Sequence, residues 1–201
     1  MTGVQTCALP ISFNGTGYGL AYVARLGAGA DQVRFVELNA DGTVASATPL
    51  TWTVTEATSI IPVNTDRLDG SDPAAPALIW NGTEYLLVFE ETSSTGTAGD
   101  PSHLHTKVIA AGGGSVLSEN TIEDDVASAA TITVTGRQEG MLDVTWNGDQ
   151  YGMVWVHEDT VTGAHVWYLA LDPDGALITS SDSPKNLNSS ATRSFHPAIT
   201  W

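Results

Sequence analysis

One phrase recurs along this chain: an aromatic residue, Asn, Gly, any two residues, Tyr. It reads Phe13-Asn14-Gly15-Thr16-Gly17-Tyr18, then Trp80-Asn81-Gly82-Thr83-Glu84-Tyr85, then Trp146-Asn147-Gly148-Asp149-Gln150-Tyr151. A repeat at fixed intervals constrains a fold more than any local propensity, because every copy must adopt one supersecondary unit and bury its apolar face against its neighbours. Asn-Gly tolerates positive φ, and the expected turn is a type I′ hairpin with both residues at its centre. Short apolar runs flank each phrase, such as Ala77-Leu78-Ile79-Trp80 before it and Tyr85-Leu86-Leu87-Val88-Phe89 after it. Runs this short, rich in aromatic and β-branched residues and bounded by turn signals, read as strands.

The copies agree further on. A third strand is expected at Gln32 to Leu38, His103 to Ile109 and His165 to Leu171. A tight turn follows at Asn39-Ala40-Asp41-Gly42 and Asp172-Pro173-Asp174-Gly175, with a longer glycine-rich version from Ala110 to Gly114. A fourth strand is expected to open at Val44, Val116 or Leu177. Each copy is then a four-stranded antiparallel meander of roughly 45 residues. Pro197-Ala198-Ile199-Thr200-Trp201 matches Pro76-Ala77-Leu78-Ile79-Trp80, so a fourth copy begins there. No segment carries a sustained 3.6-residue apolar period, so helix is a minor feature at most.

The pattern resembles the β-propeller repeats of large secreted bacterial proteins, with Trp-Asn-Gly, Tyr, a second aromatic strand and an Asp-Gly turn. The resemblance runs from Phe13 to Trp201 and implies an all-β fold, a partial β-propeller. It would comprise about three four-stranded antiparallel blades plus the first strand of a fourth. The expected division is 13–75 for blade 1 with an inter-blade insertion, 76–140 for blade 2 with another, 141–193 for blade 3, and 194–201 for a truncated first strand of blade 4. The WD, kelch and sialidase-type signatures are absent, and the resemblance brings no catalytic residue with it. Propellers close with four to eight blades. The expectation is therefore a fragment whose missing blades belong to the same chain.

The opening stretch stands apart. Thr2 to Ile11, Thr-Gly-Val-Gln-Thr-Cys-Ala-Leu-Pro-Ile, resembles the translation of a sequencing adaptor of the kind found at the ends of metagenomic gene models, so residues 1–12 are read as non-native. Cys7, the only cysteine, lies inside that stretch, which leaves the rest without thiol chemistry. The plainer alternative is a genuine first strand ending in Leu9-Pro10-Ile11, which falls at the right place in the repeat.

Charge narrows the partners. Lys and Arg total 7 against 23 Asp and Glu, a formal net charge of −16. That field repels phosphate backbones and acidic membrane surfaces, so nucleic acid is not an expected partner. No apolar run reaches the 18 residues of a spanning helix, so membrane insertion is not expected either. Composition and the family resemblance together predict an extracellular or cell-surface setting.

Candidate chemistry is sparse. Asp66, Asp69 and Asp72, with Asn64, form an acidic turn whose closely spaced oxygens would suit calcium, the one cofactor considered; plain turn chemistry explains the same residues. His103 and His105 lie two apart on an expected strand and so share a face, as the start of a zinc or copper site would require, but no third ligand is identifiable. Asp143 is the one polar departure on an otherwise apolar inner strand and reads as a hydrated, channel-lining carboxylate. Trp52 and Trp167 could stack on sugars, whereas Trp80, Trp146 and Trp201 recur at one repeat position, as core residues between blades do. Asn14, Asn81 and Asn188 match the glycosylation acceptor pattern, but the first two coincide with the hairpin turn.

The leading expectation is a propeller used for binding or scaffolding, with no catalytic residue named. A carbohydrate or protein ligand would meet the variable connections 53–73, 91–102, 123–140 and 159–163. The alternatives are a carbohydrate-active hydrolase or lyase whose site is completed by missing blades, and a purely structural adhesin-like repeat.

Overall fold

The computed structural model describes residues 10–25, 31–45, 48–53, 76–92, 102–123, 142–159, 163–180, 183–188 and 197–201. All regular structure among them is strand; no helix occurs there, and so none long and apolar enough to cross a membrane. The acidic turn with Asp66, Asp69 and Asp72 and most of the variable connections lie outside the described residues.

Three antiparallel sheets follow one another along the chain. The first contains β1 (Ile11–Phe13), β2 (Gly17–Arg25), β3 (Asp31–Asn39) and β4 (Leu50–Thr53) in that spatial order. The second contains β5 (Ala77–Trp80), β6 (Glu84–Thr92), β7 (Ser102–Ala110) and β8 (Val116–Glu123). The third contains β9 (Leu142–Trp146), β10 (Tyr151–Asp159), β11 (Gly163–Leu171) and β12 (Leu177–Ile178), with β13 (Lys185–Asn186) also on β11. The registers coincide: Phe13 faces Tyr18, Trp80 faces Tyr85 and Trp146 faces Tyr151. The repeat in the sequence is thus a repeat of sheets.

The fourth strand departs from its expected opening in the first copy and is interrupted in the third. In the first sheet Val44 makes only an isolated bridge to Leu38, and the strand itself forms at Leu50–Thr53. In the third, the strand opens at Leu177 as expected but ends at Ile178, and the edge of β11 is paired again by Lys185–Asn186. There the Ser183 hydroxyl accepts the Ala170 N–H at 2.7 Å, a side chain standing where a ladder carbonyl would be, and the next residue, Pro184, has no N–H to offer the ladder. Outermost strands pair on one side only, so little penalises such irregularity.

The sheets pack face against face. One cluster joins Ala21, Val33 and Phe35 of the first sheet to Tyr85, Leu87, Phe89 and Ile109 of the second. The other joins Ala77, Leu86, Val88, Leu104, Val108 and Ile122 of the second sheet to Tyr151, Met153, Trp155, Leu169 and Leu171 of the third. Alternate residues of β6 therefore serve opposite interfaces, so the strand reads as a continuous apolar run. The innermost strands are also neighbours, β1 with β5 and β5 with β9.

Candidate functional site

The recurring phrase does two jobs. Its first is the turn. Asn14 donates its N–H to the Gly17 carbonyl at 3.0 Å, which places Gly15 and Thr16 at the centre of the turn. Asn81 and Asn147 close their turns onto Glu84 and Gln150 in the same way. The asparagine therefore precedes the turn centre, a correction to the expected type I′ placement. Glycine is the first central residue, with φ of 96°, 110° and 99° at Gly15, Gly82 and Gly148, a region that side-chain-bearing residues avoid. The asparagine contributes through its side chain. Its Oδ1 accepts the N–H groups two and three residues on: Thr16 and Gly17, Thr83 and Glu84, Asp149 and Gln150, all at 2.7–2.9 Å. Such an Asx turn satisfies donors that the hairpin would leave to water.

The second job joins sheets. Asn81 Nδ2 donates to the Tyr151 hydroxyl of the next sheet at 2.8 Å. At the other interface Asn14 Nδ2 donates to Glu37 Oε1 at 2.6 Å, and the same oxygen accepts the Tyr85 hydroxyl at 3.3 Å. Tyr85 and Tyr151 are fully buried. Burial pushes both phenols well above the ordinary tyrosine value; the Glu37 charge adds to this at Tyr85 and the Glu84 charge at Tyr151, while the asparagine amides work the other way. The Nδ2 atoms of Asn14 and Asn81, to which a glycan would be joined, are each engaged in this clasp in the folded chain.

Sequence reasoning missed Glu37. It is buried and stands where the other copies have Val108 and Ala170, opposite Gly19, Leu86 and Gly152 respectively. A lone acid at an otherwise apolar repeat position was the available signal.

Strand direction sorts the connections. β2, β6 and β10 run away from the Asn-Gly turns, and β3, β7 and β11 return to the second set of turns. Those close by Gly42, Gly113 and Gly175 N–H groups donating to Asn39, Ala110 and Asp172 carbonyls at 2.9–3.0 Å. β4 and β8 run outward again, to the end from which β5 and β9 start. Every short, repeated turn thus lies at one end of its sheet. The connections 26–30, 54–76, 93–101, 124–141 and 160–162, which differ between copies, leave from the other.

The sequence-derived site residues fare differently. His103 and His105 both lie on β7, paired to Glu91 and Phe89 on one side and to Glu123 and Thr121 on the other. The His105 ring stacks on Phe89 at 5.1 Å, with Nδ1 3.2 Å from Thr121 Oγ1. Among the described residues no three His, Cys, Asp or Glu side chains come together as a metal site would need. Asp143 binds protein: its Oδ1 accepts the Val144 N–H at 2.9 Å and its Oδ2 the Ile199 N–H at 3.0 Å, tying the last described segment to β9. Both carboxylate oxygens of Asp143 thus carry a structural role in holding backbone N–H groups. Trp52 and Trp167 pack against the two core clusters, Trp167 with its ring 6.0 Å from Trp155, and neither is presented as an open platform. Trp80 and Trp146 are partly buried and lie 4.7 and 4.5 Å from their own tyrosines, whereas Trp201 is 83% exposed.

No protein-family model and no curated protein matches the chain. Solved structures similar to it include a mutant of the Synechocystis apocarotenoid oxygenase, at TM-score 0.40 and 10% identity over 82% of this chain and 34% of that one. A chimera of that oxygenase with RPE65 matches at TM-score 0.41 and 8% identity, over 86% of this chain and 37% of that one. This chain thus spans about a third of their length. Likeness at this level carries no assignment of fold or activity.

Proposed function

We propose that the chain is an arc of a β-propeller whose variable rim binds an extracellular carbohydrate or protein ligand. The observation that carries this reading is the sorting of connections: constant turns at one end of every sheet, connections of unequal length and sequence at the other. A scaffold that holds its sheets in one geometry while leaving one rim free to vary suits recognition. Packed sheets with adjacent inner strands and a shared interface design support the propeller arrangement. The net charge of −16 favours neutral or cationic ligands over anionic ones.

The test is an array of neutral, acidic and amino sugars probed with the intact chain and with a variant whose residues 93–100 are replaced by a short Gly-Ser turn. The reading predicts retention of a defined subset of sugars by the parent and its loss in the variant, with the β-sheet circular dichroism of both unchanged. Binding that survives the replacement of this connection and, in turn, of 54–75 and 124–140 would contradict it.

A further inference from the structure

The Asn-Gly pairs carry a covalent chemistry that the turn itself does not use. Asparagine is thermolabile, and a following glycine, with no side chain, leaves its own nitrogen unshielded. When a base takes the glycine N–H proton, that nitrogen can attack the asparagine Cγ, and the two groups are already neighbours in the chain. The new N–Cγ bond closes a five-membered imide. The Cγ–Nδ2 bond breaks, and Nδ2 leaves as ammonia. Water then opens the imide: cleavage at Cγ leaves aspartate, and cleavage at the main-chain carbonyl leaves isoaspartate. One water enters and one ammonia departs, with no oxidant or reductant.

The glycine side of this reaction is open in the folded chain. Gly15 and Gly82 are exposed, and a Cβ on either would meet nothing within 4 Å. The asparagine side is held. Oδ1 of Asn14 and of Asn81 each accepts two N–H groups of its own turn. Nδ2, the leaving group, is held by the clasp: on Glu37 Oε1 at 2.6 Å for Asn14, and on the Tyr151 hydroxyl at 2.8 Å for Asn81. Imide closure expels Nδ2, so that hydrogen bond must be given up. The folded chain therefore reacts through locally opened forms, whose population the clasp lowers.

The two products differ. A carboxylate at position 14 faces the buried carboxylate of Glu37, two anions where a hydrogen bond had been. A carboxylate at position 81 faces the Tyr151 hydroxyl, which can turn and donate to it, although Glu84 Oε1 lies 3.3 Å from the nitrogen it replaces.

We propose that Asn14 and Asn81 are sites of spontaneous deamidation, each gated by its own clasp, and that conversion of Asn14 loosens the junction between the first two sheets. The modification needs only water and is independent of any ligand at the variable rim.

The test is peptide mass spectrometry of the intact chain aged in neutral buffer, following the gain of one mass unit at each Asn-Gly pair and resolving aspartate from isoaspartate. Each rate is divided by that of Asn147-Gly148 in the same sample, which cancels any change in global unfolding. Tyr151→Phe removes the partner of Asn81, and is expected to raise the Asn81 ratio about fivefold and leave Asn14 unchanged. Glu37→Val, which takes the residue that Val108 supplies in the second copy, is expected to raise the Asn14 ratio and leave Asn81 unchanged. If one variant fails to fold, the other junction decides alone. Asn14→Asp, the first product made outright, is expected to lower the urea midpoint more than Asn81→Asp. Absence of conversion in parent and variants alike overturns the proposal, as do ratios that stay fixed or rise together at both sites. A midpoint for Asn14→Asp at or above that of Asn81→Asp overturns the loosening of the first junction.

Discussion

At the scale of single residues, the structure turns on an asparagine that satisfies a turn with its oxygen and a neighbouring sheet with its nitrogen. Asn81→Ala removes both sets of bonds and leaves the Tyr151 hydroxyl buried without its donor, so a loss of about 2 kcal/mol is expected in chemical denaturation. A double-mutant cycle with Tyr151→Phe separates the two roles. The clasp accounts for the coupling of about 1 kcal/mol expected between the sites, and the turn for the remainder. The turn was legible in the sequence because Asn-Gly is a local signal. The clasp was not, because its partner lies 70 residues away and no local pattern marks which tyrosine an asparagine will meet. The same tyrosines make stability depend on alkaline pH. An exposed phenol ionises near 10.0, and both buried ones are raised above that value. Above pH 10 the native state therefore holds more protons than the unfolded chain, so stability is complete below that pH and falls as pH rises beyond it. Denaturation midpoints at pH 8 and pH 11 check this: the parent loses stability between them, and the Tyr85→Phe/Tyr151→Phe double variant loses less.

At the scale of elements, the central strands were readable and the edges were not. β6 and β10 announce themselves as apolar runs because both of their faces are buried, and β3, β7 and β11 follow within a residue or two of expectation. β4, β12 and β13 pair on one side only, and their positions depend on local accidents such as the Ser183 hydroxyl, which no pattern of hydrophobicity records. Asp143 and Glu37 show the same limit from the polar side. Each is conspicuous as a charge in an apolar row, yet what each binds is decided by the neighbouring element that arrives there. How closely two sheets approach is likewise set by residues that look alike in sequence. Gly19 lies beneath the Tyr85 ring, whereas the nearest atoms to a Cβ at Gly152 are at 3.2 and 3.3 Å. Gly19→Ala is accordingly expected to cost about 1–3 kcal/mol by forcing the first two sheets apart, and Gly152→Ala markedly less, both read from thermal or urea unfolding.

At the scale of the molecule, the central claim is that three equivalent sheets are arranged around a common axis, with constant turns on one rim. Thr16, Thr83 and Asp149 hold one repeat position in the three Asn-Gly turns and are all exposed. Spin labels on cysteines at pairs of these positions, in a chain with Cys7→Ser, report the arrangement directly through electron–electron distances. The account predicts equal distances for the two adjacent pairs, and a 16-to-149 distance about 1.4–1.85 times either one, the range set by rings of four to eight blades. A 16-to-149 distance equal to the sum of the other two would mean a straight stack, and clearly unequal adjacent distances would mean sheets not related by a common rotation; either result would contradict it.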